Sequence, residues 1–289
     1  MRNFYLITTE HLEEALWFRD DEDFTVGMNY VAIEAFHHKN IVILFFILMS
    51  NHVHFIIFGE RDEIEAFIND FKGRYSHYFK LKYGITNLLL ENKIDFKVID
   101  LNDEGLEWAG AYVIMNCVAA NICSHPSQYK WGSGSIIFNP SLPAGKPLTA
   151  FSKRELRRVL HSRIDDLPKR WTIGEDGFIL PQNYINISEL ERLYRKVSRL
   201  NFFLNNSSKA KKRLNADEKY PAFKDQVVLY ALPDLLRSLF GKSSFSELQV
   251  AEKVECLRQI RFRFSSDITQ AARVCGISYE EAAKLVDNV

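Results

Sequence analysis

Residues 41–58 read IVILFFILMSNHVHFIIF, and the two halves of that stretch decide the fold. Residues 41–48 form an unbroken apolar run rich in β-branched and aromatic side chains, with the length of a buried strand. Met49-Ser50-Asn51 interrupts the run, and residues 52–58 resume it, so the pair predicts a β-hairpin. Side chains alternate faces along a strand, which points His52 and His54 the same way, about 7 Å apart, with Val53 and Phe55 opposite. Two imidazoles side by side on one sheet face pack poorly as core and form a two-point clamp for a metal ion. An isolated His-x-His is a weak signal and is more often two half-exposed surface histidines. The apolar flanks Ile47-Leu48 and Phe55-Ile56-Ile57 favour a pair that needs a partner.

To the N-terminal side of the hairpin, residues 4–9 (FYLITT) predict a first strand. Residues 25–38 have helical periodicity, with Met28, Val31, Ala32, Ala35 and Phe36 on one side. To its C-terminal side, residues 64–83 predict an amphipathic, basic helix ending near Gly84, residues 94–99 a fourth strand, and residues 104–120 a further helix. Asn121 is available there for a left-handed cap. The order β-α-β-β-α-β-α implies an α+β fold: a ferredoxin-like antiparallel sheet with helices on one face, plus one helix. Residues 139–146 (NPSLPAGK) are rich in Pro and Gly and set the expected boundary between a domain at 1–140 and a mainly helical region at 147–289.

The 289 residues carry 37 basic and 37 acidic side chains, a balance that argues mildly against nucleic-acid binding. The charges are segregated, however. Residues 12–23 and 95–107 are acidic, whereas 153–170 and 189–213 have a clear basic excess. Cys117, Cys123, Cys256 and Cys275 show no metal-binding spacing. With no cationic leader and no apolar run long enough to span a bilayer, the expectation is a reduced, soluble, cytoplasmic protein with no membrane partner.

On the helix at 104–120, Tyr112 and Asn116 are four residues apart and stack on one face. An amide oxygen can complete a metal site, with a phenol projecting one turn earlier. Tyr30–Glu34 and Tyr83–Asn87 have the same spacing, so spacing does not choose Tyr112.

Four segments together carry a resemblance. Met49-Ser50-Asn51-His52-Val53-His54 resembles the M-P-N-H-V-H segment of the HUH transposases. The run from Tyr112 through Asn116 to Val118 resembles the Y-I-x-x-N-P-V helix of the REP-associated tyrosine transposases. Residues 128–133 (QYKWGS) resemble that family's D-Y-x-W-S-S, and residues 75–84 (YSHYFKLKYG) its Y-x-x-Y-x-x-x-Y-G helix end. Ser50 and Cys117 stand where the family has proline, and Asn121 where glycine is common. The resemblance covers the first half of the chain.

It implies a single-tyrosine enzyme that cleaves and rejoins single-stranded or hairpin DNA. His52, His54 and Asn116 would hold a divalent ion, Mg²⁺ or Mn²⁺ in the family, although imidazole ligands by themselves favour Zn²⁺. Tyr112 would attack the scissile phosphate to give a 5′-phosphotyrosine. A homodimer is left open. Lys72, Arg74, Tyr75 and Lys80 interleave cations and aromatics in a way that suits a single strand, or equally a solvated helix face. Residues 267–286 (DITQAARVCGISYEEAAKLV) have the spacing of a helix-turn-helix within 255–289, although Glu280 and Glu281 would face phosphates badly. Two other readings stand beside this one: a catalytically silent DNA-binding protein of the same fold, and a metallohydrolase using the His pair and a water nucleophile.

Overall fold

A computed structural model describes residues 1–9, 16–86, 93–120, 122–207, 225–264, 266 and 268–287. Asn121 and Asn87 lie outside the described residues, as do parts of the 12–23 and 189–213 charge runs. The first half runs β1 (Asn3–Thr9), α1 (Asp21–His37), β2 (Val42–Met49), β3 (His52–Gly59), α2 (Arg61–Tyr83), β4 (Ile94–Val98), α3 (Gly105–Ile114) and α4 (Asn116–Ala119). The strands form one antiparallel sheet in the order β2-β3-β1-β4, the ferredoxin-like arrangement expected of an α+β chain. The 41–58 hairpin is present, with Met49 paired to His52 across its turn and an irregularity between Ile43 and Phe45.

The alternation in β3 sends its two sets of side chains to different helices. Phe55 meets Phe67 and Phe71 of α2, and Gly27 of α1 lies against Leu48, so the two crossover helices share one face. The added helix, α3, covers the other face, where Tyr112 meets His54. Gly110 permits this approach, because a Cβ there would lie 2.8 Å from the Phe45 ring.

The expected single helix over 104–120 is interrupted at Met115. The Asn116 amide nitrogen donates to the carbonyl oxygens of Tyr112 and Val113, both at 3.0 Å, and the Cys117 thiol donates to that of Ile114. Side chains have taken the acceptors that a continuous helix would use, and the backbone bends there.

The free edge of β2 is covered. Leu48 N–H donates to Trp131 O at 2.9 Å, Gly132 bridges Ile47, and the Ser133 hydroxyl accepts from Phe46 N–H. Such cover removes an edge that could pair with another chain.

After the sheet come β5 (Lys146–Pro147), α5 (Lys153–Val159), β6 (Thr172–Ile173), α6 (Ile187–Tyr194) and α7 (Val197–Asn206). They belong to the first core, which runs without division from Tyr5 to Leu204. The Pro/Gly run at 139–146 has members of this cluster on both sides of it. The second core, between Val227 and Ala282 with Leu16 added, is built from α8 (Asp225–Phe240), α9 (Val250–Phe264), α10 (Ile268–Cys275) and α11 (Tyr279–Asp287).

Within it α10 and α11 meet at a tight turn. Gly276 turns at φ +71°, Ile277 N–H closes on Ala272 O at 3.0 Å, and Ala272 and Ala282 are buried. Tyr279, Glu280 and Glu281, which open α11, are exposed. The two cores are joined at the hairpin turn: Ser50 Oγ donates to Arg263 O, and the buried Arg263 guanidinium pairs with Asp21 at 3.0 Å. Among the described residues no helix is long and apolar enough to cross a membrane.

Candidate active site

Strand β3 presents both histidines to the α3 side, and both are buried, His54 completely. The reading of half-exposed surface histidines is set aside by that burial. Their rings stand nearly perpendicular, with centroids 4.7 Å apart. The Tyr112 ring meets His54 edge-on at 5.7 Å. Tyr112 thus joins the His pair from a distant segment of the chain. Tyr30, by contrast, belongs to α1 on the other face, where its hydroxyl donates to His161 O. Tyr83 sits at the end of α2, bonded to Asp23.

The hydrogen bonds around the imidazoles fix their orientation. His52 Nδ1 lies 2.7 Å from Asn51 Oδ1, an acceptor that holds the ring through that nitrogen. His54 Nδ1 lies 2.9 Å from the Thr8 hydroxyl. A ligating histidine characteristically uses one ring nitrogen for such a partner and the other for the metal. Both Nε2 atoms are buried beside one another's rings. Two imidazoles held side by side in a fixed orientation are a donor set that fits a divalent ion.

Asn116 follows Tyr112 by one turn, its amide nitrogen donating to the Tyr112 carbonyl. Its amide nitrogen is committed to the helix, so Oδ1 is the atom of that amide able to ligate. The Tyr112 phenol is pushed above its ordinary value of 10 by burial. Burial disfavours the phenolate, so a neighbouring positive charge would be needed to release the proton.

Beside Tyr112 opens a cleft of about 1000 Å³ between α3 and the β1–β4 edge, lined by Thr8, Lys93, Asp95, Lys97, Trp108 and Tyr112. Register places Thr8 opposite His54 and Asp95 opposite Thr8, so His54, Thr8 and Asp95 form one row across three strands. Lys93, Asp95 and Lys97 are exposed. Trp108 lies one turn before Tyr112 on α3. Lysines facing an aromatic wall suit a single strand, with phosphates neutralised on one side and bases stacked on the other. Sequence reasoning missed these residues, although the i, i+4 spacing of Trp108 and Tyr112 was visible.

The basic residues singled out on α2 lie elsewhere, on the sheet face away from the histidines. Tyr75 is fully buried, with its hydroxyl donating to Trp17 O at 2.6 Å. Lys72 is buried, its ammonium pKa lowered by loss of water. Arg74 pairs with Glu34 at 2.5 Å, and Lys80 is exposed. Of the four residues expected to suit a single strand, Tyr75 and Lys72 are packed inside and cannot stack on or neutralise one. A group that spacing alone did not suggest, Glu34, His38 and Asp70, also has metal-ligating atoms close together.

Comparison with protein-family models, with curated proteins and with solved structures finds no match, so the likeness to the HUH transposases rests on the residues quoted above.

Proposed function

We propose that this chain is a metal-dependent, single-tyrosine enzyme that cleaves and rejoins single-stranded DNA, with Tyr112 as nucleophile. The observation that carries the reading is the contact of Tyr112 with His54, beside His52, on one buried sheet face. His52 and His54, with Asn116 Oδ1, would hold a divalent ion, Mg²⁺ or Mn²⁺. When bound, the ion supplies positive charge to the non-bridging oxygens of the scissile phosphate.

The chain's own groups do the rest. Asn51 and Thr8 fix the imidazoles. The α3 helix holds the phenol against His54, and Lys93 and Lys97 lie where flanking phosphates would pass. Tyr112 Oη bonds to phosphorus as the P–O3′ bond breaks. The phenol proton is lost and the departing 3′-oxygen takes one up, leaving a 3′-OH and a 5′-phosphotyrosine. The ester keeps the bond energy, so a second 3′-OH can reverse the step without ATP.

Asp95, in the same row as Thr8 and His54, is the observation that favours a second reading, a metallohydrolase using water. A 3′-labelled pool of single-stranded hairpins, incubated with the chain and Mn²⁺ and run on a denaturing gel, separates the two. Label migrating with the protein supports the tyrosine enzyme. Nicking without retained label supports the hydrolase.

A further inference from the structure

The basic run at 153–170 has no part in the site just described. It holds seven Lys and Arg against three Asp and Glu. Lys153, Arg154, Arg157, Arg158, Arg163, Lys169 and Arg170 are all exposed. The run borders a cleft of about 1090 Å³ that α1 and α2 form on the side of the sheet away from Tyr112. Arg74 enters the cleft from α2 and is neutralised by Glu34. Arg157 and Arg163 enter from the basic run, and among the described residues neither forms an ion pair.

The rim that carries them is held in place. His161 adopts φ +48°, a conformation that non-glycine residues rarely adopt. It is fixed there by the Tyr30 hydroxyl donating to its carbonyl at 3.0 Å and by its ring meeting Tyr78 edge-on at 5.4 Å. Asn29 Nδ2 donates to Val159 O just before it. Backbone outliers that the surroundings over-determine gather at ligand sites.

We infer that this cleft and its basic rim bind the phosphodiester backbone of a nucleic acid, at a site separate from the Tyr112 cluster. The cations are exposed and spread along a rim: Arg157 and Arg163 line the cleft, beside Arg74 and the acidic Glu34 and Asp70, and Lys153 is paired with Asp165 at 3.2 Å. That arrangement matches a repeating anion, where a single small anion would need buried, converging donors. The cleft's aromatics offer no base platform: Tyr30 and Tyr78 are buried, with hydroxyls bonded to His161 O and Asp23. Recognition here is of phosphate, without base reading. The inference does not depend on the chemistry of Tyr112.

The test is fluorescence anisotropy of the full chain with two labelled hairpin oligonucleotides of unrelated sequence, across a salt series. Arg157→Ala/Arg163→Ala, at exposed positions, should weaken binding to both alike. It should lower the slope of log K against log salt by about 1–2, roughly one for each phosphate that is no longer neutralised. Arg157→Lys/Arg163→Lys should keep the slope. An unchanged slope in the Ala pair, no binding by the wild type, or displacement of the oligonucleotide by millimolar inorganic phosphate would each overturn the proposal. If the Ala pair behaves as expected while no covalent adduct ever forms, this site stands and the tyrosine reading falls.

Discussion

His54 differs most from what its sequence position suggested. Alternation in β3 was enough to put it and His52 on one face, because the period of a strand is fixed by its backbone. Its complete burial was not legible, because the cover comes from α3, whose approach depends on Gly110. Truncating His54 would therefore open a cavity under α3 and disturb the fold as well as the site. A gentler test acts on the groups that orient the rings. Thr8→Val and Asn51→Ala should each reduce Mn²⁺ affinity about 10–100-fold, the usual loss when a partner of a ligating histidine is removed. Calorimetric titration reads this directly, and unchanged affinity in both variants would take the metal away from the His pair. Lys72 shows the opposite error. Its spacing with Ile68, Tyr75 and Phe79 falls on the buried stripe of α2, a pattern that outweighs its charge.

Among the elements, the strands and the first two helices were legible from periodicity, and the break at Met115 was not. It has no Gly or Pro to announce it; the Asn116 amide makes it by turning back on the helix. Periodicity also starts α1 too late. Asp20 caps the helix by accepting from Asp23 N–H, and buried Asp23 then accepts from the hydroxyls of Tyr78 and Tyr83 and from Lys82. Burial raises the Asp23 carboxyl, with Asp20 adding to the shift and Lys82 opposing it. This carboxylate ties the start of α1 to the end of α2. Asp23→Ala should destabilise the fold by roughly 2–4 kcal/mol, because it leaves the Tyr78 and Tyr83 hydroxyls and the Arg19 N–H without their acceptor, while Lys82 keeps Asp20 and Glu22. Urea denaturation measures the loss, and a change below about 1 kcal/mol would show that water replaces the carboxylate.

For the whole molecule, composition marks turns more directly than it marks where cores begin and end. A Pro/Gly run is a turn signal, and at 139–146 one core has members on both sides of it. The turn between α10 and α11 was legible because it demands a residue that tolerates positive φ, which Gly276 supplies.

Burial across the molecule also sets a pH response. The phenol of Tyr30 is pushed up to about 12 by burial, and those of Tyr78, Tyr83 and Tyr184 are raised by the same cause. A raised folded pKa means that the fold keeps the proton after the unfolded chain has lost it. The associated stability is whole below about pH 10 and falls as pH rises through about 12. For Tyr30 alone the loss is roughly 2–3 kcal/mol. Thermal melts should show a steep fall in Tm above about pH 10, less steep in Tyr30→Phe. A Tm that stays flat to about pH 11.5 would contradict the burial of these rings.

The assignment of the nucleophile turns on one oxygen atom. Tyr112→Phe removes it and keeps the ring that packs on His54. The measurement is mass spectrometry of tryptic peptides from the wild type and this variant after incubation with single-stranded hairpins and Mn²⁺. The expected result is a nucleotide attached through phosphate to Tyr112 in the wild type, and no adduct in Tyr112→Phe, which still binds the DNA. An adduct on Tyr30 or Tyr83, or one that persists in Tyr112→Phe, would contradict the assignment.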